Sequence, residues 1–332
     1  MRNAKNHRIL ISGLGSIGRR HLANIEGLGY RDIAFHRSGK STIDTPLPEY
    51  PVYRDLDRAI SDFHPDVVFV CGPSHSHLDV ALKAAASGTH LFIEKPLSHT
   101  LENVAKLNKI TADHDSRVMV GYMMRFHPLL IEIRDRIARG QVGDLIHVRS
   151  QWGEYVPGWH PWEDYRETYA ARRALGGGPA LTLSHEIDLA LWFLGGTGTP
   201  PVTVRGLSNT HSGLEVDTEH GIDILIGGPG GTTANLHLDF YQRPPARSAE
   251  FVGTEGRIIF DYYSSRIEVF SPEKPEPVEI IDISDSFERN NMFISEIEHF
   301  FECIADGATP VPGLAEGKAA LNVALQAIAT ES

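Results

Sequence analysis

Short β-branched runs alternate with amphipathic segments through the first third of the chain, and beyond it one strand-like segment follows another. The first pattern predicts strands over 8–12, 32–35, 66–71, 90–93 and 118–121, separated by helices over 16–28, 75–87 and 100–114. Asp66-Val67-Val68-Phe69-Val70-Cys71 is apolar at nearly every position, as in a strand buried on both faces. Strands and helices in this order build a doubly wound parallel sheet of about six strands, closing near residue 123. The second pattern predicts helix 128–139, then strands near 144–153, 202–208, 219–226, 232–241, 248–253, 257–261, 265–270 and 277–283. Turns such as Gly227-Gly228-Pro229-Gly230-Gly231 separate them and favour a large open, mostly antiparallel sheet. Helices over 290–305 and 314–330 finish the chain. The expectation is an α/β protein of two domains, 1–123 and 124–332, with the last helix able to pack back on the first domain.

Composition then narrows the function classes. At 332 residues each domain has enough chain to bury its own core. The 31 basic and 43 acidic residues leave a net charge of −12, the wrong sign for a nucleic-acid-binding surface. Cys71 and Cys303 are the only cysteines, so no disulfide framework is implied and a reducing compartment fits. No apolar run reaches the roughly twenty residues of a membrane span. The polar start, Met1 to His7, lacks the apolar centre of a signal peptide. A cytoplasmic protein with no nucleic-acid or membrane partner is expected.

In Ile11-Ser12-Gly13-Leu14-Gly15-Ser16-Ile17-Gly18-Arg19-Arg20-His21, three glycines follow a predicted strand and open a predicted helix. Gly13 makes the tight turn, Gly15 lets the backbone approach a pyrophosphate, and Gly18 permits close helix–strand packing. The helix start, with Leu14, Ser16 and Ile17 around it, offers free N–H groups to the anion. This is the fingerprint of a Rossmann dinucleotide-binding domain. A carboxylate normally ends the second strand and receives the ribose hydroxyls of NAD. Here the strand ends Ala34-Phe35-His36-Arg37-Ser38-Gly39-Lys40. Arg37, Ser38 and Lys40 suit a 2′-phosphate, unless Arg37 stacks on adenine or points to water. NAD(P) is the expected cofactor, with NADP narrowly preferred.

These residues resemble the Gfo/Idh/MocA oxidoreductases, the glucose–fructose oxidoreductase and inositol dehydrogenase family. The resemblance is carried in order by the glycine loop, Cys71-Gly72-Pro73 with His77, and Glu94-Lys95-Pro96. It continues through Gly121-Tyr122-Met123-Met124-Arg125-Phe126-His127-Pro128 and Gly176-Gly177-Gly178 to His185-Glu186-Ile187-Asp188, so it covers essentially the whole chain. It implies that Pro73 and His77 border the nicotinamide ribose, that Cys71 and Glu94 contact the cofactor, and that Lys95 donates or accepts a proton at the substrate. It also implies a Lys95–Pro96 bond that is often cis, and X–Pro bonds tolerate cis at about 0.5–1 kcal/mol. A partly desolvated lysine beside a cationic nicotinamide would have its pKa lowered toward values useful for proton transfer. His75 and His77 are spaced like metal ligands but show no carboxylate partner, and no metal is expected.

In the resembling family a histidine in the place of His185 assists the hydroxyl proton, often with an aspartate about one turn earlier. Here Leu181 and Thr182 occupy those places, which leaves Lys95 as main acid/base and His185 as helper or binder. Asp188 shares a helix face with His185, and Tyr122 and Arg125 stand where the family's second domain lines the site. The stretch 152–173 holds three of the four tryptophans. Its Trp162 and Arg172 are candidate substrate contacts, because aromatic faces pack on sugar rings and arginine forks fit anions. A surface loop packed on the sheet or on a partner subunit is the other reading of that stretch.

The expected activity is hydride transfer between NAD(P) and a secondary alcohol carbon of a sugar, sugar acid or polyol. Two rivals stand beside it. One is non-redox bond cleavage through a transiently reduced, tightly held NAD, and the other is a sensor that binds cofactor or sugar without turnover. The resemblance further implies a homo-oligomer, dimer or tetramer, joined through the uncovered face of the second sheet, on the premise that this face is apolar.

Overall fold

The computed structural model describes residues 6–37, 48–195 and 201–330. The chain forms two compact units, one of residues 1–122 with 293–318 and the other of residues 123–292 with 319–332. Ser38 and Lys40 lie outside the described residues.

The first unit carries a six-stranded sheet. Its strands are β1 (Ile9–Ser12), β2 (Ile33–His36), β3 (Val52–Tyr53), β4 (Val67–Val70), β5 (His90–Ile93) and β6 (Val118–Val120). They lie in the order β3-β2-β1-β4-β5-β6, and every pair is parallel. All residues of β1 and β4 are buried, as strands covered by helices on both faces require. The connecting helices are α1 (Ser16–Gly27), α2 (Leu56–Phe63), α3 (His77–Ala85) and α4 (Val104–Asp113). Because β1 is flanked by β2 on one side and β4 on the other, the chain reverses direction across the sheet there. In such a sheet the ligand crevice lies at the carboxyl ends of these two strands. The predicted helix 100–114 begins later, at Val104, after Asn103 adopts φ 65°. The predicted helix 75–87 is shorter, since Ser74–Ser76 form a 3₁₀ turn before it.

The second unit carries an eight-stranded sheet. Helix α5 (Pro128–Ala138) leads into β7 (Leu145–Gly153), then α6 (Pro179–Thr182), α7 (His185–Leu194), β8 (Thr203–Asn209) and β9 (Gly221–Gly227). The remaining strands are β10 (Thr233–Asp239), β11 (Ala246–Gly253), β12 (Gly256–Asp261), β13 (Arg266–Phe270) and β14 (Glu279–Asp282). The order is β14-β13-β12-β11-β7-β10-β9-β8, antiparallel throughout except for the parallel β7–β10 pair. Helices α5, α6 and α7 pack on the inner face.

The outward face corrects one premise of the sequence reading, because it is mixed and not apolar. Leu207 and Leu225 are exposed there, but Arg149, Glu250 and Arg257 form a charged row across β7, β11 and β12, with N···O distances of 3.0 and 2.6 Å. His237 adds an ion pair with Asp223, 2.9 Å away.

Two helices close the chain, α8 (Arg289–Asp306) and α9 (Leu314–Ala329). Phe300 and Phe301 of α8 pack edge-on and tilted against Phe69 of β4.

Candidate active site

The glycine loop is shaped by the space each Cα has. Gly13 sits at φ 97°, and a Cβ there would lie 2.6 Å from the backbone nitrogen of Gly72 in the loop after β4. A Cβ on Gly18 would overlap the carbonyl oxygen of Gly13. A Cβ on Gly15, by contrast, would meet nothing within 4 Å among the described residues. Two glycines thus serve the protein's own packing, and the third borders open space that a phosphate can enter. Ser16 is exposed, Ile17 is half-buried and Leu14 is turned into the core. Among the described residues no side chain caps the start of α1, which leaves its first N–H groups to an anion. The residues present fit a dinucleotide.

At the neighbouring strand end, Arg37 is half-buried and its N–H donates to the Tyr53 carbonyl. His36 beside it lies with Nδ1 2.8 Å from the Ser12 hydroxyl, a link between β2 and β1 at the ribose edge that the sequence reading missed. Burial is the main force pushing the His36 pKa down.

Beyond β4, Pro73 is exposed, whereas Cys71 is buried and its thiol is raised well above its ordinary range, by burial first and then by the carboxylates of Glu94 and Glu296. Cys71 is a wall of the loop and not a reactive group. The resemblance places His77 beside the nicotinamide ribose, but its ring is 1 % exposed. Its nitrogens lie 2.9 Å from the Pro96 carbonyl and 2.8 Å from the Gly72 carbonyl. Burial pushes its pKa down while those two carbonyls pull it up. Its side chain therefore ties the loop after β4 to the loop after β5. Glu94 is held within the fold in the same way. Its Oε1 is 2.6 Å from His21 Nε2 and its Oε2 accepts the Lys95 N–H at 3.2 Å, so the carboxylate serves the interior. Lys95 follows directly, half-buried, in a cis bond to Pro96. Tyr122, expected to contact substrate, is fully buried.

A polar groove of about 640 Å³ lies elsewhere on this unit, at the amino ends of β1 and β5, lined by His7, Arg8, Asp57, Lys83 and His90 among others. Its charges pair internally, Arg8 with Asp66 and Lys83 with Asp57, and it is remote from the glycine loop.

In the second unit, Arg125 and Asp188 do come together, but with each other. Nε and Nη2 of Arg125 donate to the two Asp188 oxygens at 2.8 and 2.7 Å, and both side chains are buried. A second pair, unread in the sequence, repeats the device: Arg247 donates to both oxygens of Glu186 at 2.6 and 2.8 Å. The Arg247 guanidinium lies 3.9 Å over the Trp152 ring, which is 5.9 Å from the buried ring of His185. His185 thus opens α7, whose first turn carries both ion pairs. Leu181 and Thr182 are both buried, and the carboxylate at that turn comes from Glu219, whose Oε1 accepts from the Ala180 N–H at 3.3 Å. Any Cβ on Gly178 would collide with this carboxylate. Trp162 is 62 % exposed, and Arg172 donates to Glu167 at 2.8 Å, so neither is drawn toward His185 by a bond of its own.

A parallel sheet with a glycine loop at its switch point defines a protein of the Rossmann dinucleotide-binding class. Residues 7–122 match the NAD-binding Rossmann-fold model of the GFO/IDH/MocA oxidoreductase family and residues 130–259 match that family's C-terminal domain. The chain belongs to this family. It is 25 % identical over 336 residues to the scyllo-inositol 2-dehydrogenase (NAD(+)) of Bacillus subtilis, covering 98 % of this chain and 93 % of that one. It is also 25 % identical to the inositol 2-dehydrogenase of Rhizobium meliloti, over 97 % and 96 % of the two chains. Among solved structures, a levoglucosan dehydrogenase in complex with NADH and L-sorbose superposes with a TM-score of 0.84 at 19 % identity, over 98 % and 96 % of the chains. No helix among the described residues is long and apolar enough to cross a membrane.

Proposed function

We propose that the protein catalyses reversible hydride transfer between a nicotinamide dinucleotide and a secondary alcohol carbon of a sugar, sugar acid or polyol. The observation that supports this is one of placement within the first unit. The open space at Gly15 and the half-buried Lys95 lie at the same carboxyl edge of the sheet, at the ends of β1 and β5. The bound nicotinamide supplies the hydride acceptor or donor. Lys95 takes the hydroxyl proton as the alcohol is oxidised and returns it on reduction. His185 assists as helper or binder. The substrate class follows the relatives, which are named for inositols and levoglucosan.

Lys95→Ala is expected to lower kcat by about a hundredfold or more with dinucleotide affinity retained. Activity that survives the change would remove Lys95 from the reaction. For cofactor choice we favour NADP over NAD, with Arg37 pairing the 2′-phosphate for roughly 1–3 kcal/mol. Arg37→Asp should then reverse the preference in calorimetric titrations of both dinucleotides, and equal affinities unmoved by the change would refute it. The chain is proposed to work in the cytoplasm as a homo-oligomer through the outward face of the eight-stranded sheet, and a monomer in light scattering would defeat that.

A further inference from the structure

Beneath Lys95 lies a cluster of titratable groups that the proposed reaction does not use. His21 of α1, Glu94 at the end of β5 and Glu296 of α8 bring one donor atom each to within 4.8 Å of one another, all three buried, and Glu296 is 0 % exposed. Phe69, Phe92 and Phe293 surround the His21 ring at 5.0–6.3 Å between centroids. Glu94 lies 2.6 Å from His21 Nε2 and accepts the Lys95 N–H at 3.2 Å. Among the described residues neither oxygen of Glu296 has a hydrogen-bond partner. An ionised carboxylate so placed would be an uncompensated buried charge beside a second one, which costs several kcal/mol.

A cation or a proton can relieve this. The His21–Glu94 distance of 2.6 Å is that of a hydrogen bond, whereas two ligand atoms on one tetrahedral ion, each about 2.1 Å from it, stand about 3.4 Å apart. The geometry favours the proton.

We propose that Glu296 is held as a neutral carboxylic acid at physiological pH, leaving Glu94 as the single anion of the cluster and so fixing the carboxylate that holds the Lys95 amide. Glu296 is then a positioning residue, acting on Lys95 through Glu94. That positional consequence rests on the role proposed for Lys95; the charge state does not, and the test reads the charge state alone. The Cys71 thiol, itself neutral, and His77 also face the cluster; its cationic surroundings include Lys95, next to Glu94 in the chain, and Arg20, 4.8 Å over the ring of Phe293. Burial first, then the charge of Glu94, raises Glu296 well above the usual carboxylate range.

Infrared spectra of the full chain at neutral pH should show the C=O stretch of a protonated carboxylic acid, and Glu296→Gln should abolish it. In the unfolded chain Glu296 ionises near pH 4.3, so the native protein holds one more proton and its stability falls as pH rises above that value. Glu296→Gln should flatten this fall in melts taken between about pH 5 and pH 8. An unchanged spectrum and slope in a folded variant would overturn the proposal, as would one equivalent of divalent metal in the purified protein. If the variant does not fold, the wild type decides: a protonated-acid band at neutral pH supports the proposal, and its absence overturns it.

Discussion

The start of α1 and the start of α7 solve related problems by opposite means. At α1 the working groups are backbone atoms, and the sequence needs only three glycines at fixed spacing to expose them. At α7 the working groups are side chains, and each carboxylate of the first turn is matched by an arginine more than sixty positions away, Arg125 with Asp188 and Arg247 with Glu186. A backbone site tolerates no added atom; a side-chain site tolerates no lost partner. The first kind fails by collision and the second by an orphaned charge.

That contrast is sharpest at Gly18. Gly18→Ala sets a methyl group on the Gly13 carbonyl, so dinucleotide binding should vanish from calorimetric titrations and the melting temperature should drop. Gly15→Ala has room for its methyl group in the free protein and should leave the melting temperature unchanged. It should still weaken binding by at least about tenfold, near 1.4 kcal/mol, because the methyl group occupies the space a phosphate needs. A Gly15→Ala protein that bound dinucleotide normally would break the comparison on its first side.

On the second side, Arg125→Ala removes the bidentate partner of Asp188, which is 1 % exposed, and should destabilise the second unit by about 3–5 kcal/mol in urea titrations. The double change Arg125→Met with Asp188→Leu removes both charges together and should recover most of that loss. If the double variant is as unstable as the single, shape and not charge governs the pair.

The smallest effect is expected at His237, whose pKa is raised to about 9 by its contact with Asp239 first and by Asp223 second, against the opposing effect of burial. The folded value exceeds the unfolded one, so this contribution is complete below about pH 6.5 and is lost as pH rises through about 9. His237→Gln should remove that alkaline decline from thermal melts. A decline that persists in the variant would assign it to another group.

The elements were largely legible because their signals are local. Continuous apolar runs marked β1 and β4, and regular glycine and proline turns marked the second sheet to within a few residues. What escaped was short or paired at a distance. β3 has two residues, too few for any alternation to register, and α2 follows it directly. At the candidate site the residue types were found more readily than their uses. Glu94, His77 and Asp188 were each singled out, but their partners His21, Gly72 and Arg125 come from other elements, and nothing in local spacing announces them. Glu219 escaped for the same reason, since it reaches the turn before His185 from the start of another strand.

The final helix bears on genetic modularity. Gly317 of α9 belongs to the first unit, where a Cβ would lie 2.7 Å from Val120, while Ala327 of the same helix belongs to the second, its carbonyl pressed onto Gly206 of β8. One uninterrupted helix therefore completes two bodies that the gene encodes apart. A cut after Tyr122 yields a dinucleotide-binding half without α8, whose Glu296, Phe300 and Phe301 line its interior. Exchange of either half between relatives must carry the tail with it, so recombination in this architecture is expected to succeed with two crossover points and to fail with one.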